Sequence, residues 1–228
     1  MVKDLPDPSK SELRFDTCIR GKIMPRPHRW LAAVGIMGFA LMPTAEAQAA
    51  SASDTLQQEI NQVLDATEGG VQISRNEIAW NDGDVIMAFP MPGEATAPAS
   101  SPAAQRLQAE VAGLPGTPAE EPTVGLAASD NCPTQVFGND WYCFYQNRDF
   151  GGRRLQWNEK HDPTAVRFSD YGFANQTSSW SNKGAKTITV FDGCKSGFSP
   201  TLWTEAAHSR SSYVGNSKND KADCFRAS

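Results

Sequence analysis

Two short polar runs, each ending in an aromatic residue, hold side chains whose types and spacing could do chemistry. "NQTSSW" covers residues 175–180 and "NDKADCF" covers residues 219–225. Asn175 is followed by Asp220 at an offset of 45 residues, and Trp180 is followed by Phe225 at the same offset. Closely spaced amide, hydroxyl and carboxylate side chains favour turns, in which their oxygen atoms hydrogen-bond to the backbone.

Nothing in the sequence indicates catalysis. Beyond the N-terminal leader the chain has His161 and His208, with no HExxH, GxSxG or glycine-rich phosphate loop. We therefore predict that the protein is not an enzyme. Residues 51–129 carry 2 basic and 11 acidic side chains, and residues 130–228 carry 12 basic and 10 acidic ones. No basic patch indicates nucleic-acid binding.

The N-terminus has the pattern of an export signal. Basic residues precede an apolar run of 13 residues, residues 30–42, and small-residue cleavage patterns end at Ala47 and Ala49. The run is short for a membrane span, although a retained anchor or a buried helix is the alternative. We predict that residues 1–49 are a signal peptide, with Met24 as an alternative start, and that the protein is secreted and free of the membrane after cleavage.

Four cysteines remain after removal of the signal peptide: Cys132, Cys143, Cys194 and Cys224. An even number in an oxidising compartment favours disulfides. Three pairings are possible, and short loops favour Cys132–Cys143 and Cys194–Cys224. A zinc site is the alternative, but it lacks a CxxC pair and clustered histidines.

Residues 50–92 are predicted to form a small α/β segment. Leu56, Ile60 and Val63 have helical spacing, and alternating apolar residues flank Asp82-Gly83, which is typical of a β-hairpin turn. A segment of this size buries too little surface to fold stably on its own. It could dock on the following domain or serve as a pro-region.

Residues 93–129 have the proline- and alanine-rich composition of a flexible linker, with room for one short helix. From residue 130 the sequence pattern predicts short strands separated by tight turns. The strand-like stretches include "WYCFYQ", "RRLQWN" and "TITVFD". Of the 21 aromatic residues, 16 lie between Phe137 and Phe225, so the main core is expected there.

The offset of 45 residues recurs outside the polar runs, because Gly197 follows Gly152 and Asp192 follows Asn147 at this interval. Two equivalent halves of this length suit two four-stranded Greek keys packed as a sandwich. We predict an all-β domain over residues 130–228, with Greek keys at about 136–183 and 186–228, and we expect a monomer.

The residues of this domain resemble a known family. "YQNRDFGG", with Tyr145, Phe150 and Gly152, is similar to the βγ-crystallin corner, and "NQTSSW", with Ser179 and Trp180, is similar to the hexad that follows it. The order of these motifs after "CP" resembles more narrowly a secreted actinobacterial group of peptidase-inhibitor-like βγ-crystallin domains, named for a Streptomyces metalloproteinase inhibitor.

The resemblance implies that the two hexads can bind calcium, which takes six to eight oxygen ligands. The implied ligands are Asn175, Ser178, Asn219, Asp220 and Asp223. The sequence departs from the hexad at Ala174, where the family has Asn or Asp, and at Cys224, where it has Ser. The alternative is that the hexads are turn latches that hold no metal, so calcium is a possible ligand and no cofactor is required.

The resemblance also implies that the protein is a non-catalytic inhibitor. Its partner would be an extracellular protease, with metalloproteases as the first candidates. The candidate inhibitory loop is "DGCKSGF", with Gly193, Cys194, Lys195 and Ser196, although an ordinary corner of the second Greek key would look the same. The founding inhibitor closes its loop with a short disulfide, and Cys194 has no second cysteine nearby.

The alternative function is a calcium-binding or cell-surface and polysaccharide-binding module without inhibitory activity. Exposed Trp141, Trp157 or Trp203 would be its contact residues, whereas buried positions would make them core residues.

Overall fold

The computed structural model describes residues 45–113, 130–134, 141–158, 165–194 and 199–228, with the backbone alone for residues 45–51. The predicted signal peptide therefore lies outside the described residues, except that residues 45–49 open the first helix. Lys195, Ser196 and His161 also lie outside them.

The described chain contains two helices and eleven strands. The helices are α1 (Ala45–Ala66) and α2 (Pro102–Ala112). The strands are β1 (Val71–Ser74), β2 (Glu77–Trp80), β3 (Val85–Ala88), β4 (Trp141–Tyr145), β5 (Arg154–Asn158), β6 (Val166–Arg167), β7 (Ser179–Asn182), β8 (Ile188–Phe191), β9 (Thr201–Glu205), β10 (Ser209–Ser211) and β11 (Cys224–Ala227).

These strands form two antiparallel sheets, which confirms the predicted all-β sandwich. The first sheet has the order β1-β2-β3-β5-β4-β7-β10, and the second sheet has the order β6-β11-β8-β9. Strands β4 to β7 come from the first half and β8 to β11 from the second. Because β6 joins the second sheet and β10 joins the first, each half contributes one strand to the sheet of the other.

The predicted helix and hairpin are confirmed, and they are part of the same sandwich. Leu56, Ile60 and Val63 of α1 are all buried in the main core. The hairpin turn between β2 and β3 has the left-handed backbone that its sequence predicts, with φ of 54° at Asp82 and 99° at Gly83. Strand β3 then pairs with β5, the edge strand of the first half.

Residues 93–113 differ from the flexible linker that their composition predicts, because they pack on the first sheet. Gly152 donates a backbone hydrogen bond to the carbonyl of Ala95 over 2.8 Å, and Thr96 forms a β-bridge with Gly152. Helix α2 is capped by Ser101, and its Ala104 is fully buried. The limits of the predicted segments remain predictions, but residues 45–113, here called the N-terminal segment, are joined to the sandwich by strand pairing.

The main core lies between the two sheets and is aromatic. Phe144, Trp157, Phe168 and Phe225 contact one another with ring centroids 4.8–5.7 Å apart. The N-terminal segment adds Ile78, Trp80, Val85, Met87 and Phe89 to this core, besides the three residues of α1.

Trp141, Trp157 and Trp203 are buried, with exposures of 0%, 0% and 8%. They are core residues, and they offer no aromatic surface for a polysaccharide. Within the described ranges, neither helix has the length and apolar character that a membrane span needs.

Candidate functional site

The candidate site is built around a folded turn, residues 146–152, which we call the first corner. Tyr145 and Phe150 contact each other edge to face, with centroids 5.4 Å apart. Gly152 has a φ of 70°, and a Cβ atom there would lie 2.9 Å from the Cβ of Gln146. This position therefore requires glycine, since a side chain would collide with the corner.

Ser179 holds the first corner to β7. Its Oγ accepts a hydrogen bond from the backbone N–H of Phe150 over 3.1 Å and donates one to the carbonyl of Asn147 over 2.6 Å. Trp180 follows and is buried in the main core. This hexad therefore acts as the turn latch that one of the two sequence interpretations predicts.

The two hexads are related by an approximate twofold axis. Asn175 donates its backbone hydrogen bond to the carbonyl of Ala222 over 2.9 Å, and Asp220 donates its own to the carbonyl of Thr177 over 3.2 Å. Asn175 and Asp220 also share a left-handed backbone, with φ of 56° and 55°. The equivalent residues, Asn175 and Asp220 as donors and Thr177 and Ala222 as acceptors, are 45 residues apart, so the repeat found in the sequence is a repeat in the structure.

Four of the five predicted calcium ligands line one cavity of about 580 Å³ at this junction. They are Asn175, Ser178, Asn219 and Asp220, and the cavity wall also includes Gln146, Asn147, Arg148, Gln176 and Tyr213. The Oδ1 atom of Asn219 is buried and has no hydrogen-bond partner among the described groups. The Oγ of Ser178 is already engaged, because it donates to the carbonyl of Gln146 over 2.8 Å.

Asp223, the fifth predicted ligand, lies elsewhere. It lines a different cavity together with Arg167, Asp192 and Cys194. Its backbone accepts a hydrogen bond from Phe168 and donates one to Phe191. In the described part of the chain, no group of three or more His, Cys, Asp or Glu side chains could hold a metal ion. The junction therefore offers calcium one carboxylate and several neutral oxygens, which suits weak binding at most.

Sequence reasoning missed Arg153, which lies next to the junction. Its guanidinium contacts the ring faces of Phe89 and Phe173 at 5.7 and 5.8 Å and hydrogen-bonds Gln176. Burial lowers the pKa of Arg153 from its ordinary value, and the carboxylate of Glu59 acts in the opposite direction. Phe89 and Glu59 belong to the N-terminal segment, so no motif within the β domain could have predicted these contacts.

The structure contains one of the two preferred disulfides. Cys132 and Cys143 are bonded, with their Cα atoms 5.8 Å apart, whereas Cys194 and Cys224 are not bonded. Cys224 is fully buried and pairs in register with Phe191. Burial raises the pKa of the Cys224 thiol well above its ordinary value, and the contact with Cys194 raises it further.

The predicted inhibitory loop is only partly described. Gly193 has a φ of 121°, which favours glycine, and Cys194 is half-buried. The chain enters this loop from β8 and resumes at Ser199, shortly before β9. The loop therefore connects two paired strands of the second sheet.

The comparisons with known proteins follow this geometry. Residues 127–197 match the model of peptidase inhibitor family I36. A clostrillin double mutant in complex with nickel is 21% identical, with a TM-score of 0.31, over 39% of this chain and 97% of that chain. A βγ-crystallin from Ciona intestinalis gives 21% identity and a TM-score of 0.31, over 39% and 99% of the two chains. A structure concerning the eye lens βγ-crystallin domain fold is 14% identical, with a TM-score of 0.35. That match covers 42% of this chain and 92% of that chain.

None of the curated proteins matches the sequence. The family match spans the disulfide, the first corner, the first hexad and the start of the loop at Gly193. It associates the domain with inhibitors and not with enzymes, in agreement with the non-catalytic function predicted above. The chain therefore contains a domain that matches peptidase inhibitor family I36 and has a βγ-crystallin-like fold.

Proposed function

We propose that this protein is a secreted, monomeric inhibitor of extracellular proteases, with metalloproteases as the first candidates. The single observation that carries the proposal is the match of residues 127–197 to an inhibitor family. The disulfide Cys132–Cys143 supports export to an oxidising compartment.

The geometry suits inhibition because the candidate loop is supported on both sides. Strands β8 and β9 are paired from Ile188↔Glu205 to Phe191↔Thr201, and the loop with Gly193, Cys194, Lys195 and Ser196 joins them. Because paired strands hold both ends of this segment, binding should cost less conformational entropy than binding of a free peptide. We propose this loop as the protease contact.

The test is a titration of purified residues 50–228 against a thermolysin-type metalloprotease and, in parallel, a trypsin-type serine protease. We expect stoichiometric loss of activity of the metalloprotease, with the inhibitor recovered intact. Full activity of both proteases at a large molar excess would contradict the inhibitor proposal.

A matched pair of variants tests the loop. Lys195→Ala should weaken inhibition at least about tenfold if Lys195 is one of the few side chains that dominate the contact, since truncating such a side chain costs about 2 kcal/mol or more. Lys221→Ala removes the same charge from an exposed position of the second hexad and should leave inhibition unchanged. If both variants inhibit like the parent, the contact lies outside this loop although the protein is an inhibitor.

The second candidate function is calcium binding at the junction of the hexads. The buried Oδ1 of Asn219 without a partner favours it, together with the carboxylate of Asp220 in the same cavity. A ligand that binds only the folded state raises its stability, by about 2.7 kcal/mol at a concentration of 100 Kd.

Thermal unfolding in excess calcium tests this candidate. We expect a rise in Tm that Asp220→Asn abolishes and that Asp65→Asn, the same change at an exposed position of α1, preserves. No rise in the parent protein would leave the hexads as turn latches alone.

A further inference from the structure

We propose that Cys194 and Cys224 close to a second disulfide, which takes the place in the second half that the Ser179 latch has in the first. Neither cysteine is bonded in the structure, and the proposal concerns both their reaction and its role. The argument depends on the twofold relation of the halves and is independent of the inhibitor function.

The first step is the position of Cys224. In the first half, Ser179 opens β7 and pairs in register with Tyr145 of β4. In the second half, Cys224 opens β11 and pairs in register with Phe191 of β8. Cys224 therefore opens the strand equivalent to that of Ser179, 45 residues later, and its partner Phe191 follows Tyr145 by 46 residues.

The second step is the position of Cys194. The Oγ of Ser179 contacts the backbone of Asn147 and Phe150, the residues on either side of the tip of the first corner. Cys194 follows Asp149, at that tip, by 45 residues. Cys194 shares a cavity with Asp223, the residue before Cys224, so the second half places two thiols where the first half places a hydroxyl and the backbone.

The third step is the environment of the pair. Cys224 is fully buried, and Cys194 is half-buried beside a cavity lined by Arg167, Asp192 and Asp223. A small disulfide such as oxidised glutathione can therefore reach Cys194 first. Within the described ranges, no group of three or more His, Cys, Asp or Glu side chains could hold a metal ion.

The reaction balances as a two-electron oxidation of the thiol pair. The thiolate of Cys194 attacks one sulfur of oxidised glutathione, forms a mixed disulfide and releases one glutathione thiolate. The Cys224 thiol then passes its proton to the departing glutathione thiolate as its sulfur attacks the sulfur of Cys194, and the second glutathione leaves. Both protons from the cysteines end on the two released glutathione molecules.

The consequence is that the start of the loop after β8 becomes covalently tied to the first residue of β11. The disulfide would close a loop of about 30 residues, which raises stability chiefly by restricting the unfolded chain. For a chain of this size we expect oxidation to raise Tm by about 10 °C. The first corner, which Ser179 holds by hydrogen bonds and not by a thiol, would not respond to oxidant.

The test is a count of thiols and bonds in wild-type residues 50–228 equilibrated with oxidised glutathione. We expect no alkylation under native conditions and a Cys194–Cys224 linked peptide in a non-reducing digest. Mild reduction should release both thiols and lower Tm. Oxidised protein in which Cys194 and Cys224 still alkylate would overturn the proposal, and so would stoichiometric binding of zinc through both thiols.

Two variants make the test independent of folding losses. Cys194→Ser and Cys224→Ser should each remove the Tm response to oxidant while circular dichroism shows the fold intact. Ser179→Cys is the matched control, because it adds a thiol at the equivalent position without a partner at Asp149. A Tm response that persists in both Ser variants would assign it to Cys132–Cys143 and contradict the proposal.

Discussion

The first and second sheets contain equivalent strands, but they differ at their edges and on their outer faces. In the first sheet, β5 is covered by β3, and α2 with residues 130–134 packs over the outer face around Ala79, Ile86 and Trp141. In the second sheet, β6 and β9 are edge strands, and the outward side chains of Thr204 and Arg226 are exposed. The difference shows that the N-terminal segment is a structural part of one half of the sandwich.

The largest expected effect comes from removing the N-terminal segment. Residues 130–228 alone should lose more than about 5 kcal/mol of the free energy of unfolding, since each large apolar side chain lost from the core contributes about 2 kcal/mol. Ile60, Met87 and Phe89 are among those removed, and each is fully buried. The uncovered edge of β5 should also promote self-association.

Thermal unfolding and size-exclusion chromatography of residues 130–228 and 50–228, side by side, measure this effect. A short form that is monomeric and unfolds at the same temperature would contradict it. In that case the N-terminal segment could be a removable pro-region.

The next effect concerns Asp130, on the outer face of the first sheet. Burial favours the neutral acid, but hydrogen bonds from Lys183, the backbone of Cys132 and Ser181 outweigh it and lower the pKa of Asp130 below its ordinary value. The carboxylate lies 2.8 Å from the ammonium of Lys183 and has no exposed side-chain surface. Asp130→Asn should therefore cost about 3 kcal/mol at pH 7, because a partly buried cation loses its partner.

The sign of the pH dependence follows from the lowered pKa. The contribution of Asp130 is fully present above its unfolded pKa and is lost as the pH falls through the lower folded pKa. The difference between Asp130→Asn and the parent should therefore shrink below about pH 4. Urea unfolding at pH 7 and pH 3 measures it, and an equal difference at both values would exclude this mechanism.

A buried carboxylate in the second sheet should behave in the opposite way. Burial raises the pKa of Glu205 well above its ordinary value, and the hydrogen bond from Trp203 acts against it only in part. The parent protein should lose stability as the pH rises above the unfolded pKa and toward the folded one. Glu205→Gln keeps an acceptor for Trp203 and should gain about 1 kcal/mol at neutral pH.

Stability curves of the parent and Glu205→Gln between pH 4 and pH 8 check this prediction. A variant that parallels the parent over the whole range would show that Glu205 does not set the pH dependence of the second sheet.

The last of these effects concerns the first corner. Ser179→Ala removes the acceptor of the Phe150 N–H and the donor to the Asn147 carbonyl, and should cost about 2 kcal/mol. The stability lost in Ser179→Ala should not depend on oxidant. Cys224→Ala, in the second half, should lose less stability in reductant than in oxidant. Tm values of both variants with and without reductant give the comparison, and identical responses would remove the distinction between the halves.

The repeat could be predicted because equivalent positions of the two halves share a backbone conformation and therefore require similar residues. The offset of 45 residues, the glycine at position 152 and the serine at position 179 are all visible in the sequence. The pairing of β3 with β5 was not, since Val85 and Trp157 are 72 residues apart and a strand edge leaves no local signal. The packing of residues 93–113 was missed for a related reason, because the contact of Leu107 with Gly83 exists only in three dimensions.

The candidate site was predicted in part. The equivalence of Asn175 and Asp220 follows from the repeat. The position of Asp223 in a different cavity does not, because it depends on which half of the domain its side chain faces. The role of Arg153 depends on Phe89, which belongs to another segment, so its neighbours in the chain could not reveal it.

The location of β11 has a consequence for folding. Cys224–Ala227 lies in the interior of the second sheet, between β6 and β8. Neither neighbour can complete its pairing until these residues are available, and the high sequence separation of such contacts slows folding. A nascent chain that stops short of residue 224 should therefore remain open and susceptible to proteolysis, and the sandwich should form cooperatively only once this strand is present.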